Sequence, residues 1–315
     1  MQHWNSYWSN TKTLNSFAEG QQQHGYSGDI AQFWQAILQP VAENSTIVDI
    51  ATGNGGLAVL AQQHNASFNI IATDAADINP LTLFSPSDDC YPALQQIQFM
   101  ANVPTEQLTL ASNSVDLVIS QFGFEYAPLA AALAQIHRVL GKKGKFIALV
   151  HSQHSFITQD CQDGATVLQQ LLQTDGLLSQ LMQFANLCQA LATETQLSTA
   201  QQQQFSEHNT ALLQFFRQTQ QQFTVQNQQE WFNLIAKDLV PLIMNWQSLT
   251  SATVDKTKQN LQHFLQRIQD QIASAWTNQR AEEVKALCQT TWQQVSVEQM
   301  QIEEGVLCWI VQLQK

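Results

Sequence analysis

Asp49 sits in an apolar run, Ile47-Val48-Asp49-Ile50, and the chain then turns through Gly53-Asn54-Gly55-Gly56. A second apolar run ends at Asp74. Glycines in such a turn let a ligand press against backbone, because they carry no Cβ and tolerate φ > 0. A carboxylate about 20 residues beyond the first glycine can accept both hydroxyls of a ribose. An acid placed before the glycines can also orient an ammonium group. Together the two acids suggest a ligand that carries an amino-acid head group and a nucleoside. Further polar residues follow later apolar runs: Asn102, then Ser120 and Gln121, then His151 and His154.

The elements that must position these residues can be read from periodicity. Strands are expected at Ile47–Ala51, Phe68–Thr73, Ile97–Met100, Val115–Ser120 and Lys145–Val150. Helices are expected at Gly56–Gln63 and Leu129–Leu140, and a turn at Gly141–Gly144. Alternation of strands with helices implies a parallel sheet covered on both faces. Residues 1–40 are aromatic-rich and irregular in pattern, with Trp4, Tyr7, Trp8, Phe17, Tyr26, Phe33 and Trp34, and are read as a helical, aromatic cap. Asp29 would cap a helix over Ile30–Leu38, and Pro40 would stop it. Most of these aromatics are expected to pack on the core, and a few to close over a ligand.

The rhythm changes after the α/β core of residues 41–154. From 155 to 293 only glutamine-rich amphipathic helices are expected, with stripes such as Leu261, Phe264, Leu265, Ile268, Ile272 and Trp276. Strand pattern returns in residues 294–315, where Gln294–Ile302 and Val306–Leu313 flank Glu303-Glu304-Gly305 as a hairpin. The expected fold is an α/β, Rossmann-like sheet interrupted by a long helical insertion between strands five and six. That insertion is read as a substrate lid or as the surface of a homodimer.

Gly53-x-Gly55-x-x-Ala58 with Asp74 also satisfies the dinucleotide fingerprint, so a nicotinamide cofactor and S-adenosyl-L-methionine compete for the loop. Three features favour the latter. Asp49 precedes the glycines, Asn102 follows strand three where an amide can read an adenine edge, and a hairpin follows strand five. Asp49-Ile50-Ala51-Thr52-Gly53-Asn54-Gly55, Asp74, Ala101-Asn102-Val103, Val115–Tyr126 and Arg138–Gly144 then stand in the order found in one family. In that ordered set the chain resembles the class I S-adenosylmethionine-dependent methyltransferases, closest to their small-molecule branch. The resemblance covers roughly residues 41–154 and the terminal hairpin. It implies seven strands, the last antiparallel. It places Gly53, Asn54 and Gly55 on the methionine part, Asp74 with Ala75 on the ribose, Asn102 and Val103 on the adenine, and Ser120 and Gln121 at the cofactor's edge. Ala51 stands where the family usually has its first glycine, which is tolerable if that residue keeps φ < 0. Pro104-Thr105 lengthens the Asn102 segment relative to the family pattern.

Composition narrows the partners. Hydrophobic residues make up 44% and charged residues 12%, with 25 acids against 13 bases and a net charge of −12. No Lys/Arg cluster offers the positive field that nucleic acid or an anionic membrane needs. The five cysteines lack C-x-x-C spacing, so neither a disulfide framework nor a metal site is expected and a cytoplasmic location is. The amino terminus lacks the pattern of a signal peptide. No apolar run reaches the roughly 20 residues that span a bilayer.

Methyl transfer from a sulfonium is an in-line displacement, so catalysis can rest on alignment and exclusion of water. A base is needed only if the acceptor must lose a proton. His151, Glu125 and Tyr126 are the candidates, His151 foremost because an imidazole titrates near neutral pH. The competing reading of His151 is a hydrogen-bonded loop histidine. Ser120-Gln121-Phe122-Gly123 replaces the Asn/Asp-Pro-Pro-Tyr/Phe of amino-methyltransferases acting on nucleobases or on protein glutamine. A small, uncharged or aromatic metabolite is the expected acceptor. A catalytically silent cofactor-binding scaffold and a nicotinamide-dependent reductase are the alternatives.

Overall fold

A computed structural model describes residues 1–15 and 25–315; Phe17 lies outside them. The elements in chain order are α1 (Gln2–Asn10), α2 (Gly28–Leu38), β1 (Thr46–Ile50), α3 (Gly56–His64), β2 (Asn69–Thr73), α4 (Pro80–Leu83), α5 (Tyr91–Leu94), β3 (Gln98–Met100), β4 (Val115–Gln121), α6 (Leu129–Val139) and β5 (Leu140–His151). They are followed by α7 (Phe156–Leu171), α8 (Leu177–Ala192), α9 (Thr199–Gln222), α10 (Gln226–Met244), α11 (Ser251–Ser274), α12 (Asn278–Cys288), β6 (Gln294–Ile302) and β7 (Gly305–Gln314).

Seven strands form one sheet in the order β3-β2-β1-β4-β5-β7-β6. β1 lies parallel between β2 and β4, β5 is parallel to β4, and β7 runs antiparallel to both β5 and β6. The α/β sheet and its antiparallel last strand therefore match the expectation. Side chains alternate between two cores. Ile47, Leu117, Ile119, Ile147 and Leu149 pack on one face with Trp34 and Leu57, while Val48, Val118, Phe146, Ala148 and Val150 pack on the other with Ile136 and Val284. Burial on both faces explains the near-continuous apolar runs of the central strands. Chain order reverses beside β1, so the carboxyl ends of β1 and β4 open a crevice there.

Three local readings are corrected. Residues 2–10 form a helix of their own, ahead of the one placed at Ile30–Leu38, and Trp8 is its buried anchor. Asp29 lies inside the first turn of α2, whose N-cap is Ser27. Gly141–Gly144 is not a free turn but part of β5. The ladder slips between Val115↔Leu140 and Leu117↔Lys145, and the chain's last residue supplies partners: Lys143 N donates to Lys315 O and Lys315 N to Gly144 O. A distant strand end thus overrides the local turn signal.

Residues Met1–Thr158 with Ala273–Lys315 form one compact unit and Gln159–Ile272 another. Within the helical unit, Trp231 Nε1 donates to Asp160 Oδ1 at 2.9 Å, and Asp163 accepts from Asn227 and Gln228. Gly164 lies under the Trp231 ring, where a Cβ would come within 2.6 Å of it. Among the described residues no helix is long and apolar enough to cross a membrane.

Candidate functional site

The turn after β1 is held by backbone bonds. Thr52 N donates to Thr73 O, and Gly55 N to Thr52 O, both at 3.0 Å. Gly53 and Gly55 take φ of 57° and 91°, where glycine alone is unstrained. Ala51 also takes a positive φ, 53°, which corrects the expectation of a negative one. Its methyl is accommodated because the facing loop has Gly123, whose added Cβ would stand 2.5 Å from the Ala51 Cβ.

The two acids meet this turn from different sides. Asp49 is 1% exposed and accepts from Thr52 Oγ1. Burial pushes its carboxyl up to about 7 against the lowering effect of that bond. Asp74 Oδ2 accepts from Gly53 N at 2.8 Å and its Oδ1 from Ala76 N at 2.7 Å. Burial raises its pKa too, although both amides favour the charged form.

A cavity of about 370 Å³ opens beside the turn, within the range of small-molecule sites. Thr52, Asp74, Ala75, Gln121 and Tyr126 share its wall. Gln121 Oε1 accepts from Trp34 Nε1, while its Nε2 has no partner among the described residues. One end of this amide is thus clamped, leaving the donor end for a ligand. The residues present fit a nucleoside cofactor: an acid that can still accept, an amide that can still donate, and Ala51 and Thr52 at the start of the turn, while Gly53 and Gly55 are buried beneath Trp8 and Phe99.

Other expected residues stand elsewhere. Ser120 is fully buried and its Oγ donates to Ile50 O. Asn102 follows β3 at φ 58°; its N donates to Ala76 O, and its Nδ2 to Asp77 Oδ1 at 3.4 Å. Val103 N donates to Asp74 O. These backbone bonds lock the end of β3 to the end of β2, and neither side chain lines the cavity. Asn54 is fully buried, with Nδ2 aimed at carbonyls of the amino-terminal segment.

The three proton-transfer candidates come together. His151 Nδ1 lies 2.6 Å from Glu125 Oε1, which also accepts from His151 N at 2.9 Å. Both side chains are almost wholly buried. The imidazole stacks on Phe122 (centroids 4.4 Å, 23°) and meets Tyr126 edge-on at 6.3 Å. Phe122 and Tyr126 line the cavity, so the pair stands directly behind its wall.

Sequence reasoning expected a few amino-terminal aromatics to close over a ligand but did not single out those that cover the site from α1. Trp4 and Trp8 line the cavity, stacked at 6.2 Å, and Trp4 meets Tyr126 edge-on at 5.8 Å. Their crowding in residues 1–40 was the available signal, but nothing local says which aromatic reaches the loop. Among the described residues no group of three or more His, Cys, Asp or Glu is placed to hold a metal.

Comparison with known proteins bears on the same segment. Residues 48–148 match the family model described as a methyltransferase domain. No curated protein matches the chain. Solved structures share it at low identity. A geranyl diphosphate C-methyltransferase from Streptomyces coelicolor A3(2), in complex with Mg2+, geranyl diphosphate and S-adenosyl-L-homocysteine, is 13% identical over 48% of this chain and 64% of its own, with a TM-score of 0.37. An S-adenosylmethionine-dependent methyltransferase from Mesorhizobium loti is 21% identical over 39% and 52%, with a TM-score of 0.32. A putative one from Methanococcus maripaludis is 19% identical over 38% and 55%, with a TM-score of 0.30. The matched part spans about half the length of such proteins. The segment from β1 to β5 thus matches a methyltransferase domain.

Proposed function

We propose that this chain transfers a methyl group from S-adenosylmethionine to a small, uncharged or aromatic metabolite. The observation that carries the reading is the meeting of Thr52, Asp74 and Gln121 on one cavity, with Gly53 N bonded to Asp74 behind it. The cofactor supplies a methyl already activated on a sulfonium. Asp74 then holds hydroxyls while its bond from Gly53 N fixes the turn. Gln121 donates from Nε2. Phe122, Tyr126 and the α1 tryptophans exclude water and give a planar acceptor apolar surface to lie on. No Lys or Arg is among the described residues lining the cavity, which argues against an anionic acceptor. Where the acceptor must lose a proton, His151 receives it with Glu125 holding the ring, and Tyr126 stands between the pair and the cavity.

The helical unit is assigned the finer roles of substrate lid or homodimer surface. The location assigned is a reducing cytoplasm, in keeping with five buried cysteines that form no disulfide. Calorimetric titration of S-adenosylhomocysteine and of NADH tests the donor, and release of S-adenosylhomocysteine during incubation with metabolite extracts tests turnover. Stabilisation by NADH alone would overturn the donor assignment. Binding without turnover across chemically diverse acceptors would make the chain a silent binder.

A further inference from the structure

The side chain of Asn54, in the middle of the glycine turn, points away from the cavity. Its Nδ2 lies 3.3 Å from Trp8 O, 3.2 Å from Thr11 O and 3.0 Å from Thr13 O. An amide has two such hydrogens, so this donor is spent on the segment that leaves α1. The neighbouring glycines are shaped by the same segment. A Cβ on Gly53 would stand 2.4 Å from Trp8 Cζ2, and one on Gly56 would stand 2.0 Å from Asn15 Oδ1. On the far side, Asp77 N donates to Asn5 Oδ1 at 3.1 Å, which ties α1 to the chain just beyond Asp74.

From this geometry we infer that Asn54 is a positioning residue that latches α1 over the cavity. The inference rests on the cofactor reading above. Three carbonyls from one side converge on a single buried donor, so turn and helix hold their positions together. When the latch is made, Trp8 lies against Gly53, and Trp4 is carried onto Tyr126 as the cavity's roof. Asn54 therefore acts on bound cofactor through α1, slowing its escape. Loss of the amide donor frees the helix without removing any group that faces the ligand.

Two measurements on the full chain test this. The first is hydrogen exchange of the ligand-free protein. Asn54→Ala is expected to speed exchange of the Gln2–Asn10 amides about tenfold, the loss of roughly one hydrogen bond, while β1 and β4 stay protected. Unchanged exchange in α1 would overturn the latch. If Asn54→Ala loses protection in β1, Asn54→Ser, which keeps a shorter donor, replaces it under the same criterion. The second is S-adenosylhomocysteine affinity in a double-mutant cycle with Trp8→Ala. Each single variant is expected to bind about tenfold more weakly, and the double variant no more weakly than either. Losses that multiply would show Asn54 acting on the cofactor directly and overturn the inference. If the unmodified protein binds no S-adenosylhomocysteine, the cofactor reading itself fails, and the exchange result alone decides the latch.

Discussion

The amide of Gly53 donates to Asp74 Oδ2 at 2.8 Å, joining the turn after β1 to the acid that ends β2. One carboxylate thus shapes the turn and faces the cavity. Asp74→Ala removes both actions. S-adenosylhomocysteine affinity should fall about 10- to 100-fold, the range for hydrogen bonds to a charged group. Titration calorimetry measures it, and an affinity within threefold of the unmodified protein would take Asp74 out of the site.

Asp49 makes stability depend on pH in an unusual sense for a carboxylate. Its folded pKa is raised to about 7 by burial, and that of Asp74 is raised as well. Between about pH 4 and 7 the native state holds a proton that the unfolded chain has released. Stability therefore falls as pH rises through that window, and the full cost, at most on the order of 4 kcal/mol, is present above it. Asn at position 49 cannot ionise. Urea unfolding at pH 5 and pH 8 should show a smaller loss for Asp49→Asn than for the unmodified chain, and equal losses would contradict the assignment.

Glu125 and His151 form a buried pair behind Phe122 and Tyr126. Glu125→Gln keeps an acceptor near the ring but removes the charge, and His151→Gln removes the base. Each should lower kcat about 10- to 100-fold on an acceptor that loses a proton, with KM for S-adenosylmethionine changed less than threefold. A full rate in both variants would leave the pair a purely structural one.

Gly123 and Ala51 are matched in size across the crevice. Gly123→Ala places a methyl 2.5 Å from the Ala51 Cβ and should cost about 2 kcal/mol. Ala51→Gly removes both that clash and the penalty of a left-handed alanine, about 1–2 kcal/mol, against glycine's entropic cost of about 0.5–1 kcal/mol. The double variant should recover at least half of the loss in urea unfolding. No recovery would mean that the Ala51 backbone, whose carbonyl lies 3.0 Å from the added Cβ, carries the clash.

Much of the fold was legible because period-2 and period-3.6 patterns are local. The apolar runs of β1, β4 and β5, the glycine turn and the closing hairpin declare themselves over a few residues each. The failures share a cause. Residues 2–10 carry Trp4, Tyr7 and Trp8 among polar residues, and only the surface they cover makes them a helix. Gly141–Gly144 reads as a turn until Lys315 arrives to pair with it. Asn54 in the turn and Ser120 at a strand end are both small polar residues beside the crevice, yet one donates to the amino-terminal segment and the other to Ile50 O.

The sequence by itself determined the chain's strand order of polar residues: Asp49 before the glycines, Asp74 after the second run, Gln121 after the fourth, His151 after the fifth. These follow from where apolar periods stop, which short-range sterics and burial dictate. The tertiary structure alone decided what each polar atom meets. Gln121 is clamped by Trp34, His151 sits against Glu125 behind Phe122, and Asn54 turns toward α1. Partners 26 to 87 residues apart are chosen only when the sheet closes, because a buried donor or acceptor must take whatever complementary group packing brings within reach.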